Sequence, residues 1–562
     1  MLHFAPLSNP TGNSKSNTNI SDTSLLNLGN QQQITSAWRT LVVILSFVGL
    51  VAFVQVIIAN QSGLWADEIF SLAIATGHSL EHPAAVADPR QGDFVEPSNA
   101  VPAEEFRRYL QHDSPPASPS RVVRAVLLSD TNPPLYYLFL YIWTLVFGTS
   151  DIALRLFSIA CSLACVPLLA AIACRIGGKA GPLAGCVLFL FSPMTVYYST
   201  EGRMYALLWL FALALIWASL ALQERTAGIG ICAFWVVISA AGLLTHYFFI
   251  FPWLGAVAYL LIRPAKLARA NLAVCLLLTV VLILPWYVNV SKSLVSWRIT
   301  KDWLTWRPKG FDLPIALLQL PSQFFSGRGS PLWSDHHVCN SIALACFGVI
   351  AIAMAWRLRL GMFGEQRLVL WLSFILTCAG PYLFDVMQHT YTVAVPRYAV
   401  AALPAAYLLA AVGLTCLNKL TRVVLLVTII IAWMPDVWTI YTNESRNSLP
   451  IREISHLASA NSRASDLILV HSIPSGVLGI ARYANGPAAL ASWVGQLGMR
   501  HVPESIQHLV TGRTHVILLK AHEVREPAPE ERWLRANAVV LKETRLGSAR
   551  MIDFGPKTST TF

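Results

Sequence analysis

Two adjacent carboxylates, Asp67 and Glu68, follow an apolar run that ends near Asn60. A second polar cluster, Thr131-Asn132-Pro133-Pro134-Leu135-Tyr136-Tyr137, closes the same loop. A third, from Tyr197 and Tyr198 through Glu201 and Arg203 to Tyr205, interrupts an otherwise apolar stretch. Carboxylates can move protons, and cationic or hydrogen-bonding groups can hold negative charge as it builds. Charge is costly at a membrane, so charges kept there mark function by default. The three clusters together point to an enzyme working at a membrane face.

The elements that must position these residues are apolar helices. Of 562 residues, 55% are hydrophobic and only 13% charged, against about 25% charged in a soluble protein. Many stretches reach the roughly 20 apolar residues needed to cross about 30 Å of hydrocarbon. The spacing predicts spans near 38–60, 152–174, 181–196, 204–222, 229–245, 247–262, 271–290, 338–355, 368–384, 398–417 and 423–441, about eleven in all. The net charge of +11 would suggest nucleic acid in a soluble domain. Here the basic residues sit in loops beside lipid headgroups, and no nucleic-acid partner is implied. The ten cysteines lie mostly inside apolar segments, without CxxC pairs or histidines at metal spacing, and read as small buried apolar side chains. Residues 1–34, rich in Ser, Asn, Thr and Gln, read as a disordered cytoplasmic tail. The run Leu41–Ala59 is too long for a signal h-region and reads as a retained first span.

Charge bias sets the orientation. One set of alternating loops carries Arg175 and Lys179, Arg225, Arg263 with Lys266 and Arg269, Arg357 with Arg359 and Arg367, and Lys419 with Arg422. The other short loops carry only Arg203 and Arg397. The amino terminus is therefore expected inside and the carboxyl tail outside. Pro133–Gly148 is apolar but only about 16 residues long. If it crossed, every later basic loop would face out, so it is expected to lie along or dip into the outer surface. The same reasoning places Asp67, Glu68, Asn132, Glu201 and Arg203 all on the outer side. Prolines in the loop 61–151 argue against one continuous helix, and short helices are expected at 67–77, 103–112 and 119–129. A second outer loop, about 291–337, sets Trp297, Trp303, Trp306 and Trp333 among Lys292, Arg298, Lys301, Arg307 and Lys309. It reads as an aromatic belt or as a site for an anionic lipid or its phosphate. The membrane domain is thus 35–441, and 442–562 becomes soluble in composition. There, strands at 466–471, 514–519 and 538–542 predict a small extracytoplasmic α/β domain.

The segments WADEIFSLAIA from Trp65, PPLYY from Pro133, SPMTVYYSTEGRMYAL from Ser192, THYFF from Thr245 and VPRYAVAALPA from Val395 resemble the polyprenyl-phosphate-sugar glycosyltransferases of the glycosyltransferase C superfold. The nearest likeness is to family 39 protein mannosyltransferases and lipopolysaccharide-core glycosyltransferases. It covers roughly 35–420. It implies a polytopic helical membrane enzyme whose acidic pair after the first span carries catalysis. It also implies an outer cavity that accepts a lipid-linked donor. Two positions depart from the family pattern. Asn132 stands where a His or Lys often precedes Pro-Pro, and it brings no charge. Thr200 and Gly202 replace a Gln and an Ala, while the charged Glu201 and Arg203 remain.

The chemistry of such a donor fits these residues. A sugar on a lipid phosphate already has a good leaving group, so no general acid is needed, unlike the carboxylate pair of glycosidases. One carboxylate suffices to take the acceptor hydroxyl's proton, and direct attack inverts the anomeric centre. By its match to the family's acidic position, Asp67 is the expected base. Glu68 is left three roles: orienting Asp67, binding acceptor or touching a metal. Glu201 and Arg203 form an opposite wall or a structural pair. Tyr197 and Tyr198 are interfacial anchors or sugar contacts, His246 a structural or phosphate-binding histidine, and Arg397 a phosphate ligand or a headgroup anchor. No cofactor is implied with certainty; the resemblance leaves a divalent metal possible, but no ligand set stands out. The expectation is transfer on the outer face of the inner (plasma) membrane to a lipid, polysaccharide or protein acceptor. A lipid-linked-sugar flippase or transporter is the alternative, although such proteins put ionisable groups near the midplane and often show repeats. The role of 442–562 is open, with acceptor docking as one reading.

Overall fold

The structure is a computed structural model. It describes residues 19–82, 87–129, 132–223, 228–263, 269–293, 312–327, 336–442, 449–521, 528–557 and 561–562. The chain falls into two units, Met1–Leu50 and Val51–Phe562. The first helix, α1 (Asn19–Gln61), begins inside the stretch expected to be disordered.

Each of the eleven apolar segments read from the sequence falls on helix. By length and apolarity six are long enough to cross a membrane: Trp38–Gln61, Asp151–Gly177, Arg269–Val290, His337–Phe363, Leu368–Gln388 and Lys419–Thr442. A seventh arises if the pair Gly181–Phe191 and Pro193–Ser199, bent by 60°, is one span. Pro193 causes the break, because it lacks an N–H and disfavours helical geometry at Ser192. Helices Tyr205–Ala221 and Leu403–Thr415 are apolar all round and buried on nearly every side, so they form the centre. Arg269–Ser293 instead turns Leu277, Leu278, Val281 and Leu284 outward. An apolar face of that kind belongs in lipid rather than water. Two large polar side chains inside the bundle are paired internally: the Trp209 indole donates to Val400 O at 2.8 Å, and the Tyr407 hydroxyl donates to Phe324 O at 2.9 Å. The protein is a helix-rich, multi-pass membrane protein.

The first loop carries α2 (Ala66–Ala75), α3 (Ala103–Arg107) and α4 (Pro119–Ser129), close to the three expected helices. Its own core joins Leu72, Phe94, Phe106, Leu110, Val122 and Val126. Arg124 grips Asp93 through two bonds, at 2.6 and 2.8 Å. Gly77, at φ +88°, turns the chain out of α2; a Cβ there would lie 2.4 Å from that of Ala117. The next helix, α5 (Leu135–Phe147), buries Tyr136, Tyr137, Leu140 and Tyr141 and exposes Ile142 and Val146. At 13 residues it is roughly 20 Å long. It leads into α6 (Asp151–Gly177), which Ser150 caps. Within the segment 291–337, expected as a second outer loop, Leu313–Ser326 forms a helix that the sequence reading did not foresee, capped by Asp312. The four tryptophans of that loop lie outside the described residues.

Beyond residue 450 a five-stranded sheet forms from β1 (Leu467–His471), β2 (Ala489–Trp493), β3 (Val516–Lys520), β4 (Ala538–Leu546) and β5 (Ala549–Pro556). Its order is β2-β1-β3-β5-β4. β1 runs parallel to β2 and β3, while β5 pairs antiparallel with β3 and β4. β1 and β3 are runs of four apolar residues buried at every position, the pattern of strands covered on both faces. β2 and β5 were not expected. The edge of β2 is closed by the first loop: Val101 and Leu490 exchange backbone bonds at 2.9 and 2.8 Å. That pairing protects an otherwise open sheet edge.

His78, in the first loop, is buried against Tyr109 and Thr76. Burial pushes its pKa down to about 4, against an opposing pull from Asp113. The unfolded chain therefore binds a proton that the folded chain refuses as pH falls from 6.5 towards 4, so stability is lost in that window. We expect the unfolding midpoint of the wild type to drop more steeply between pH 7 and 4.5 than that of His78→Gln. The difference should correspond to at most about 3 kcal/mol. Parallel pH–melting curves for the two proteins would refute this.

Candidate active site

The acidic motif is delivered by a turn. Trp65 is the residue before α2, and Glu68 in its first turn reaches back to accept the Trp65 N–H at 3.3 Å. This is the reciprocal half of a capping box. The helical turn then sends the two neighbouring carboxylates in different directions.

Glu68 points inward and is fully buried. Arg155 of α6 donates to both of its oxygens, at 2.8 and 2.6 Å. The Gly202 N–H adds a bond of 2.7 Å to the same carboxylate. The remaining Arg155 donors take the carbonyls of Ala59, Ser62 and Gly63, at 2.6, 2.7 and 2.9 Å. Arg155 was missed in the sequence, although a lone arginine inside an apolar span is a signal in itself.

Asp67 points outward, with 34% of its side chain exposed. Its nearest cation is Arg397, 3.5 Å away. The positive end of α2 also favours a carboxylate in this first turn. Arg397 lies over the ring of Tyr398, 5.4 Å from its centre, and interacts electrostatically with Tyr198 and Tyr205 as well. The turn that presents it is pinned by the buried Asp385, which accepts the N–H groups of Thr392 and Val393, each at 2.8 Å. Asp385, a single carboxylate in an apolar segment, was also passed over.

Glu201 and Arg203 approach α2 from the far side. Glu201 accepts the Trp65 indole N–H at 3.2 Å. Arg203 donates to the Ser71 hydroxyl at 2.8 Å, and to Asp67 O and the Tyr137 hydroxyl at 3.3 Å each. Both are buried, so they act as a wall that holds the helix of Asp67. Gly202 between them is a close approach: a Cβ would stand 2.6 Å from Leu154 Cγ. Tyr197 and Tyr198 are buried, edge to face with each other, and Tyr198 packs likewise on Tyr205. They form packing beneath the site rather than rings facing headgroups.

His246 accepts the Phe248 N–H on Nδ1 at 3.1 Å, which puts its ring proton on Nε2 when neutral. Its ring centre is 6.4 Å from that of Tyr398, so it stands on the Arg397 side. Half-buried Asn132 precedes α5, where the Leu135 N–H donates to Leu244 O at 3.0 Å. The Asn132 segment is thereby tied to the turn before His246. Thus Asp67, Arg397 and, through Tyr398, His246 come together, with Glu68, Glu201 and Arg203 as their support. Among the described residues no three His, Cys, Asp or Glu side chains converge as a metal site.

The crystal structure of ArnT from Cupriavidus metallidurans bound to undecaprenyl phosphate matches 94% of this chain and 99% of its own, at 14% identity and a TM-score of 0.57. The fold is that of the glycosyltransferase C superfold. The apo structure of the same enzyme matches 87% of this chain and 97% of its own, at 13% identity and a TM-score of 0.50. Residues 131–288 match the family model described as dolichyl-phosphate-mannose-protein mannosyltransferase. No protein of curated function matches by sequence. The family match runs from the Asn132 segment through Tyr197, Glu201, Arg203 and His246. It leaves out Asp67, Glu68 and Arg397, so the grouping of those three rests on geometry.

Removing one partner of a buried ion pair leaves an uncompensated charge. Arg155→Met should therefore lower stability by about 3–5 kcal/mol, read as the unfolding midpoint in detergent. Gly202→Ala should cost about 1–3 kcal/mol through overpacking on Leu154. An unchanged midpoint in Arg155→Met would remove the pair from its central place.

Proposed function

We propose that this protein is a membrane glycosyltransferase. It moves a sugar from a polyprenyl-phosphate donor to an acceptor hydroxyl on the outer face of the inner (plasma) membrane, with inversion. The observation that carries the reading is the contrast at the acidic pair: Asp67 is partly exposed and faces a guanidinium, while its neighbour is sealed in an ion pair. The likeness in fold to an enzyme solved with undecaprenyl phosphate supports this donor class. So does the family described by a dolichyl-phosphate-linked sugar.

In this reaction the acceptor oxygen attacks the anomeric carbon. Asp67 takes the hydroxyl proton as the new bond forms and the bond to the lipid phosphate breaks. The leaving phosphate gains charge, and Arg397 is the cation placed to receive it. His246 with a proton on Nε2, and Asn132 as a neutral donor, complete the phosphate side. Glu68, Glu201 and Arg203 are positioning residues, because they are bonded to Arg155, Trp65 and Ser71 of the protein itself. Tyr197 and Tyr198 form the floor. A flippase needs no exposed base, and nothing in this geometry favours that reading.

The topology that goes with this function has about eleven spans. The amino terminus lies inside, α5 rests at the outer surface, and the sheet of 442–562 forms an extracytoplasmic α/β domain. Residues 1–34 make the cytoplasmic segment. Helices on every expected apolar stretch support the count, and the basic loops support the orientation.

Asp67→Asn removes the proton acceptor and keeps the shape. Sugar transfer by purified protein from a panel of polyprenyl-phosphate sugars should fall by about 10²–10⁴-fold, with donor binding retained. Full activity in Asp67→Asn would sink the assignment of the base.

A further inference from the structure

The turn that delivers Asp67 is held from two sides, and one side belongs to the C-terminal domain. Arg155 takes its carbonyls, as described above. Its backbone N–H at Leu64 is taken by the Tyr483 hydroxyl, at 2.7 Å. Tyr483 ends the helix Pro474–Tyr483, far along the chain. The same hydroxyl donates to Asp151 Oδ2 at 2.6 Å. Asp151 stands one helical turn before Arg155 on α6, so one helix face addresses both sides of the turn. Asp151 is itself clamped by Arg482 at 2.8 Å and Arg452 at 2.9 Å. Arg452 also lies over the Tyr483 ring and fits so tightly that a Cβ on Gly63 would be 2.7 Å from its own. Close by, Gly479 of the same C-terminal helix faces Ile69 of α2, where a Cβ would lie 3.5 Å from the Ile69 side chain.

A domain that only docked an acceptor would need no bond to the backbone of the acidic motif. We infer that Tyr483, anchored by Asp151, is a positioning residue for Asp67, and that the C-terminal domain completes the catalytic turn. This rests on the reading of Asp67 as the base. The physical reason is that Leu64 lies three residues before Asp67, in a turn with no helix or ladder of its own. Its N–H is a buried donor whose partner comes from a separate part of the chain. Without the hydroxyl, the turn would seek another partner by moving, and α2 would move with it. Small misplacement of a base costs rate more than affinity.

The test is Tyr483→Phe in the full-length protein, with Asp151→Asn beside it. Tyr483→Phe keeps the ring that packs against Arg452 and His456, and so keeps the fold. We expect kcat to fall by about 10- to 100-fold with the donor KM unchanged. Amide hydrogen exchange across 61–69 should quicken in both variants, while exchange in β1 and β3 stays at wild-type rates. A protein that loses thermal stability but turns over at the wild-type rate per folded molecule would overturn the positioning role. If the wild type transfers sugar from no polyprenyl phosphate, the proposed function fails by itself. The exchange measurement still decides the positioning: wild-type rates across 61–69 in Tyr483→Phe would refute it.

Discussion

The buried pair between Arg155 and Glu68 is the constraint on which the rest of the site depends. Both side chains have no solvent exposure. Removing two charges from water costs several kcal/mol each, and attraction repays that only when every remaining donor and acceptor is used. Arg155 meets the condition by spending its donors on one carboxylate and three carbonyls. Those carbonyls lie where α1 ends, where a helix leaves its last acceptors without partners. A lysine could not replace it, because an ammonium has no planar fork to divide between a carboxylate and flanking carbonyls. One arginine therefore terminates the first span, caps the approach to α2 and orients the acidic motif.

Everything next to this pair limits movement of the same short helix. Trp65 is tied to Glu201, Ser71 to Arg203, and Leu64 to Tyr483. These partners come from two separate parts of the chain, the turn at Glu201 and Arg203 and the helix end at Tyr483, and each uses a polar group that burial would otherwise leave unpaired. A fully connected buried network rigidifies what it surrounds. The benefit falls to Asp67, the member of the cluster left partly open to solvent. Among the described residues its ion-pair partner is Arg397, at 3.5 Å, the long end of ion-pair distance.

The helices were legible because length and apolarity report them directly, even in segments such as 229–245 that are short for a span. The three helices of the first loop could be read from prolines and polar starts. Among the strands, β1, β3 and β4 announce themselves through β-branched and leucine runs, whereas the small residues of β2, ALASW, carry little signal. The helix Leu313–Ser326 was hidden by reading its surroundings as a tryptophan-rich loop. Within the site, charge bias alone gave the expectation that Asp67, Glu68, Asn132, Glu201 and Arg203 share one side of the membrane. What could not be read was pairing. Arg155 and Glu68, or Tyr483 and Leu64, meet only after the chain has folded, and no local pattern encodes such a distance.

The adjacency of Asp67 and Glu68 shows why residue type and spacing stop short of mechanism. In a loop, two neighbouring carboxylates would share one environment and repel each other. On a helix they are about 100° apart, enough to send one into the protein and the other towards solvent. The inner carboxylate is neutralised by a guanidinium and spends its oxygens on the fold. The outer one keeps its access. Reversing the order of the two residues would put the shorter aspartate against Arg155 and the longer glutamate at the open face. The ion pair would then lose reach just where burial makes loss expensive, and the base would gain a rotatable bond just where it must be still. The order Asp then Glu is therefore a physical requirement of this turn, set by side-chain length at each end of the helix's first residues.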